Sequence, residues 1–242
     1  PWARVPPVAC AAMEPSPDAY PPSAPELTWV STTEAVVHEG HEVRCYEGLA
    51  PGRAQEVEGF EFRTLPRVGE HLATFATVND VHFGEEVCGV VEGSDMGPVF
   101  RTEPGAEPFP EVMNRAAVAE MAAIDPAAVV VKGDLTSHGT REEYDAFRAA
   151  YEPAFGDRLT VVRGNHESYH RASFAAEPTQ EVALPGVTLA VIDTSVDGAT
   201  AGAVSADQLD WLDELCARAD LPVLVFGHHP LGDPNSPEKA DR

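Results

Sequence analysis

From residue 73 onward the hydrophobic pattern keeps switching between a period of about 2 and a period of about 3.6 residues, which narrows the possible folds sharply. Apolar runs of strand length occupy 73–78, 128–132, 159–163, 188–192 and 222–226, and helix-length amphipathic segments lie at 111–124, 141–151 and 206–219. Near-continuous apolar strands have to be buried on both faces, and strands that alternate with helices place those helices on the faces. An α/β chain with a mainly parallel sheet covered by helices is therefore expected. Thr140 with Glu143, and Ser205 with Gln208, have the spacing of a capping box and mark two helix starts.

The residues before 73 follow other rules. Residues 1–26 read as an extended or disordered arm, because they hold eight of the 22 prolines and show no hydrophobic period. Residues 27–72 carry short alternating runs, among them Leu27–Ser31, 35–38, 42–46 and 57–62, punctuated by Gly40, the Gly48-Leu-Ala-Pro-Gly52 turn and Pro66. That pattern predicts a small antiparallel β module. The turn, followed by Phe62-Arg-Thr-Leu-Pro66, resembles fibronectin-type-III-like modules.

Composition removes several classes of function. With 43% hydrophobic residues the chain can bury a core. It has no apolar run near the ~20 residues of a membrane span, so no membrane association is expected. A net charge of −24 argues against a nucleic-acid or anionic-lipid partner. The cysteines, Cys10, Cys45, Cys88 and Cys216, form no C-x-x-C pair. Cys216, inside an amphipathic helical pattern, is expected to be a small buried hydrophobe. A reducing, cytoplasmic setting is the expectation; the start at Pro1 leaves a processed leader open.

Each of the five apolar strands runs directly into a polar cluster. These are Asn79-Asp80-Val81-His82, Gly133-Asp134, Gly164-Asn165-His166-Glu167, Asp193-Thr194-Ser195 and Gly227-His228-His229-Pro230. In an open parallel sheet the carboxyl ends of the strands border the ligand crevice, so separate loops deliver Asp, His and Asn side chains to one rim. Alone, each cluster reads as an ordinary turn or a packed loop residue. Together, in this order, they point to a site.

The order Asp80-x-His82, Gly133-Asp134, Gly164-Asn-His-Glu167 and His228 resembles the calcineurin-like metallophosphoesterase superfamily. The Ile192-Asp-Thr-Ser195 and Gln208-Leu-Asp-Trp-Leu212 stretches are similar to its bacterial class III cyclic-nucleotide phosphodiesterases. Purple acid phosphatases would instead have Gly at position 82 and Tyr at 137, where this chain has His82 and Ser137. The resemblance covers residues 73–242 and implies a layered α/β/β/α sandwich, preceded here by the β module. It also implies a hydrolase of small phosphomonoesters or phosphodiesters that uses two divalent metals. Such cations, about 3.5–4 Å apart, clamp a phosphoester oxygen and bring the pKa of a bound water toward ~7. Asp134, with two carboxylate oxygens, is the natural bridge. Asp80 and His82 would complete most of one site, and Asn165 and His228 would contribute to the other. Oxygen and imidazole ligands without thiolate suit Mn, Fe or Zn.

Other residues receive supporting roles. His166 resembles the family's phosphate-contacting histidine and would stabilise charge or protonate the leaving oxygen, with Glu167 holding its tautomer. His229 and Asp193 would support the ligands from outside. Arg101 and Arg171 are candidate phosphate clamps, against the plainer reading of solvated or ion-paired arginines. The acidic, Gly/Pro-rich stretch 83–110 is either a substrate cap or a disordered insertion. The family's final Gly-His-x-His does not occur before Arg242. A fragment is the expected explanation, and a catalytically inactive metal- or phosphate-binding module with an incomplete site is the alternative. The part after residue 72 holds 29 acids and 11 bases, net −18, so the metals rather than the surface would attract an anionic substrate.

Overall fold

The structure is a computed structural model that describes residues 24–40, 42–91 and 94–230. The chain divides into two compact units between His71 and Leu72.

The first unit contains only strands. β1 (Glu26–Val30), β2 (Glu34–Glu39) and β3 (Glu42–Glu47) form an antiparallel sheet in that order, and β4 (Ala54–Val57) pairs with β5 (Phe60–Arg63). Ala35 and Val37, alternate residues of β2, are fully buried, as its half-apolar pattern requires. Residues 57–62, read from sequence as a single strand, fold instead as the tip of the β4–β5 hairpin. Glu58 (φ 49) and Gly59 (φ 82) both adopt left-handed conformations, which close a two-residue turn with the twist of its flanking strands.

The second unit is layered. Its strands are β6 (Phe75–Val78), β7 (Val87–Val91), β8 (Ser94–Arg101), β9 (Ala128–Lys132), β10 (Leu159–Val162), β11 (Thr179–Leu184), β12 (Val187–Ile192) and β13 (Val223–Phe226). Its helices are α1 (Phe109–Ile124), α2 (Arg141–Phe155), α3 (Asn165–Tyr169) and α4 (Ala206–Arg218). The expected mainly parallel sheet is divided in two. β10-β9-β6 is wholly parallel, whereas in β11-β12-β13 the β11 edge runs antiparallel to β12.

Side-chain alternation along β9 explains the layering. Val129 and Val131 face a cluster with Met121 of α1 and Phe147, Tyr151 and Phe155 of α2. Ala128 and Val130 face the other way and join Val162 to Leu184, Leu189 and Val191 of the second sheet. A strand between two apolar layers needs both faces apolar, and the Ala-Val-Val-Val run supplies that. Thr140 and Ser205 cap α2 and α4, each within a complete capping box.

Two expectations are corrected. The stretch 83–110 is neither a bare loop nor a disordered insertion, because β7 and β8 pair within it as an antiparallel hairpin. Cys216 is exposed rather than buried. The inward face of α4 runs through Gln208 and Leu215, and Cys216 lies about 100° around the helix from Leu215.

Candidate metal centre

The carboxyl ends of β6, β9 and β10 meet at one point. Past β6 and β9 the two loops remain laced in parallel: Asp80 N–H donates to the Gly133 carbonyl (3.1 Å), His82 N–H to Asp134 (2.9 Å) and Phe83 N–H to Leu135 (3.1 Å). This pairing requires unusual backbone, since Asp80 (φ 55), His82 (φ 46) and Asp134 (φ 49) all sit in the left-handed region. Each such non-glycine residue costs roughly 1–2 kcal/mol, and such strain concentrates at functional sites. Gly164 is required by close approach, because a Cβ there would run into the Asp134 carboxylate and its amide.

Asp134 lies at the centre and is almost fully buried. Its Oδ2 is 3.6 Å from His82 Nε2 and 3.9 Å from His166 Nε2, and its Oδ1 is 3.4 Å from His228 Nε2. One carboxylate therefore addresses two groups of ligands. Asp80 Oδ1 approaches His82 Nε2 at 3.9 Å, and His228 Nε2 is 3.0 Å from Asn165 Oδ1. All five sequence-derived metal ligands, Asp80, His82, Asp134, Asn165 and His228, are thus brought together, with His166 beside them.

Backbone carbonyls fix the tautomers. His228 Nδ1 lies 2.9 Å from the Lys132 carbonyl, and His166 Nδ1 lies 2.7 Å from that of Ser137. A carbonyl can only accept, so each Nδ1 carries the proton and each Nε2 turns toward Asp134. Glu167 therefore does not set the tautomer of His166. Its fully buried carboxylate accepts from Thr136 N–H (2.8 Å), Thr136 Oγ1–H (2.6 Å) and Gly164 N–H (2.8 Å), which pins the Asp134 loop to the Asn165 loop.

The electrostatics show a cluster short of positive charge. The side chain of His82, with that of Asn79, outweighs burial and holds the Asp80 carboxyl down to about 2. Burial works against protonation of His228, but Asp134 beside it prevails and pushes His228 up to about 9. Burial would raise Asp134, and the His228 ring and the His166 amide pull it below the ordinary carboxylate range instead.

The remaining residues fall outside the cluster. His229 is fixed between Thr194 Oγ1 (2.8 Å) and the Thr200 carbonyl (3.1 Å), and its ring meets that of His228 edge-on. Asp193 pairs with Arg163 at 2.7 Å. Arg163 was not singled out by the sequence, although its position directly before Gly164 was a signal. It also reaches Asp197 at 3.0 Å. Arg171 extends toward the Gly198 loop, and Arg101 ends β8 at the surface. Among the described contacts neither arginine touches the cluster.

A buried pair supports the first loop from behind. Asn114 on α1 donates to the Val81 carbonyl (2.9 Å) and the Pro110 carbonyl (2.8 Å) and accepts from Tyr151 Oη on α2 (2.6 Å). Val81 stands between the two left-handed residues Asp80 and His82. No periodicity argument reveals this link, since it joins residues far apart in sequence.

Two triads, His82–Asp134–His166 and Asp80–Asp134–His228, each place their ligand atoms within 4.8 Å of one another. Oxygen and imidazole donors without thiolate, gathered around the shared Asp134, fit binding of divalent metal.

The sequence comparisons agree. The profile of the calcineurin-like phosphoesterases matches residues 73–242, and the chain belongs to that family. It is 32% identical over 117 residues to a cAMP/cGMP dual specificity phosphodiesterase of Mycobacterium tuberculosis, a match covering 43% of this chain and 37% of that protein. It is 28% identical over 116 residues to a probable glycerophosphodiester phosphodiesterase of Arcobacter nitrofigilis, covering 43% of this chain and 42% of that protein. The matches thus span about two fifths of the length of these curated relatives. Among solved structures, a dimetal phosphatase from Danio rerio superposes with a TM-score of 0.52 at 16% identity, covering 67% of this chain and 71% of that one. That likeness shows the calcineurin-like layered α/β fold. Among the described residues no helix is long and apolar enough to cross a membrane.

Proposed function

We propose that residues 73–242 act as a metal-dependent hydrolase of small phosphomonoesters or phosphodiesters, with residues 27–72 as a separate β module. The observation that carries this reading is Asp134, whose two oxygens face different ligand groups. Asp80, His82 and Asp134 would hold one divalent cation, and Asp134, Asn165 and His228 the other. Mn, Fe or Zn suits the donor set. When bound, two such cations supply Lewis-acid stabilisation of the phosphoryl charge and lower the pKa of a coordinated water.

The chain's own residues then have distinct tasks. The Lys132 carbonyl orients the His228 ring, and Glu167 locks the Asp134 and Asn165 loops at fixed separation. His166, with Nδ1 held by Ser137, presents Nε2 toward the cluster. As imidazolium it carries a proton there that it can hand to the leaving oxygen; as neutral imidazole it presents a lone pair. Arg163, paired with Asp193, steadies the strand end before Gly164. With a net charge of −24, attraction of an anionic substrate would rest on the metals, which favours a small phosphoester over a nucleic acid.

Purified protein is expected to bind one or two transition metals and to cleave bis(p-nitrophenyl) phosphate or the monoester analogue. Asp134→Ala should lose both properties, read by elemental analysis and nitrophenolate release. Robust hydrolysis by metal-free Asp134→Ala protein would overturn the reading. Bound metal without turnover on any phosphoester would instead establish a non-catalytic binding module.

A further inference from the structure

A cleft of about 500 Å³ opens directly beside the metal centre and shares Asp80 and His82 with it. Its size falls in the range of roughly 300–1,000 Å³ typical of small-ligand sites. One wall is the start of α1, where Phe109, Met113 and Ala117 recur every four residues. That spacing normally turns a stripe toward a core. Ala117 does pack on the core at its deep end, yet Met113 remains 62% exposed. The stripe thus continues from the core into an open cleft. Cys88 of β7 also lines the cleft.

The polar groups around this cleft select against charge. Apart from Asp80 and His82, which belong to the metal centre, its one acidic side chain is Glu85, and neither Lys nor Arg lines it. A second phosphate or a carboxylate on the ligand would be repelled. The Asn114 amide is already engaged by Val81, Pro110 and Tyr151. Among the apolar lining residues Phe109 offers an aromatic ring and Met113 a thioether, and both pack well against flat aromatic groups.

We infer that this cleft is a subsite for a flat, uncharged aromatic group bonded to the phosphate, so that the substrate is a phosphoester with one such group rather than a polyanion. The inference rests on the hydrolase reading and narrows its substrate class. Continuity with the centre through Asp80 and His82 lets one ligand place its phosphoryl group among the metal ligands and its ring against Phe109 and Met113.

The test uses the full chain loaded with Mn²⁺ and two probes with the same anionic head, phenylphosphonate and methylphosphonate, with binding read by calorimetry. Phenylphosphonate should bind roughly tenfold tighter or more, the scale expected for burying one ring. Phe109→Ala and Met113→Gln should each lower the phenyl-to-methyl affinity ratio by about threefold or more, with metal content and circular dichroism unchanged. Met113 is largely exposed, so its replacement leaves the core intact. Equal affinity of the two probes for the wild-type chain, or a ratio untouched by both substitutions, would overturn the subsite while leaving the hydrolase reading standing. If neither phosphonate binds the loaded chain the subsite is likewise overturned, while nitrophenolate release from the same protein decides the hydrolase reading separately.

Discussion

Asp134 gains its position from neighbours that have no side chain. Gly133 takes φ 82 and lies under the His228 ring, and Gly164 approaches Asp134 too closely for any Cβ. Gly164→Ala is therefore expected to displace the Asp134 carboxylate, and metal content should fall along with a stability loss of about 1–3 kcal/mol. Elemental analysis and urea unfolding would check the two effects separately. At this scale the Gly-Asp and Gly-Asn-His-Glu motifs were legible, because their residue types and order are local. The partner of Glu167 was not. Its carboxylate answers to Thr136 and Gly164, and no spacing rule links positions 136 and 167.

Between elements, α1 and α2 do more than cover a sheet. The Tyr151–Asn114 pair fixes the Val81 carbonyl between two strained residues. Tyr151→Phe should leave Asn114 Oδ1 buried without its donor and cost about 1–3 kcal/mol by urea unfolding. Its metal content should stay near wild type, since the bond from Asn114 to Val81 survives. Asn114→Leu should lower metal affinity as well, because that bond is lost.

The start of α2 gives a pH-dependent counterpart. Burial raises the Glu143 carboxyl, but the His138 ring and the amides of His138 and Thr140 outweigh it and hold the group below its ordinary value of 4.5. A depressed pKa means that the carboxylate contributes stability fully above the ordinary value and loses it as pH falls through the folded one. Glu143→Gln should thus be less stable than wild type by about 1 kcal/mol at pH 7, and the gap should close as the pH drops below 4.5. Denaturation midpoints of both proteins from pH 3 to 8 would measure it. The capping box itself was readable as Thr-x-x-Glu, whereas its link to His138 depended on the turn before the helix.

For the molecule as a whole, charge and metal binding are coupled. An excess of 18 acids after residue 72 disfavours a compact metal-free state, most strongly where Asp80 and Asp134 converge. Divalent cations that bind only the folded chain should stabilise it by about 2.7 kcal/mol at a hundredfold excess over Kd. A rise in Tm on adding Mn²⁺ that is reversed by a chelator, and absent in Asp134→Ala, would confirm that the cluster is responsible.

The sequence by itself determined the α/β class, the strands that end in chemistry and the residues gathered around Asp134. Burial on both faces forces apolar runs, and metal-binding chemistry forces particular side chains, and both leave local marks. Tertiary structure alone decided that the strands divide into two sheets, that 83–110 forms a hairpin beside the site, and that Ser137, Thr136, Asn114 and Arg163 support the cluster. Those outcomes depend on which surfaces meet and which backbone groups remain to be paired, and such pairings are settled only when distant segments pack together.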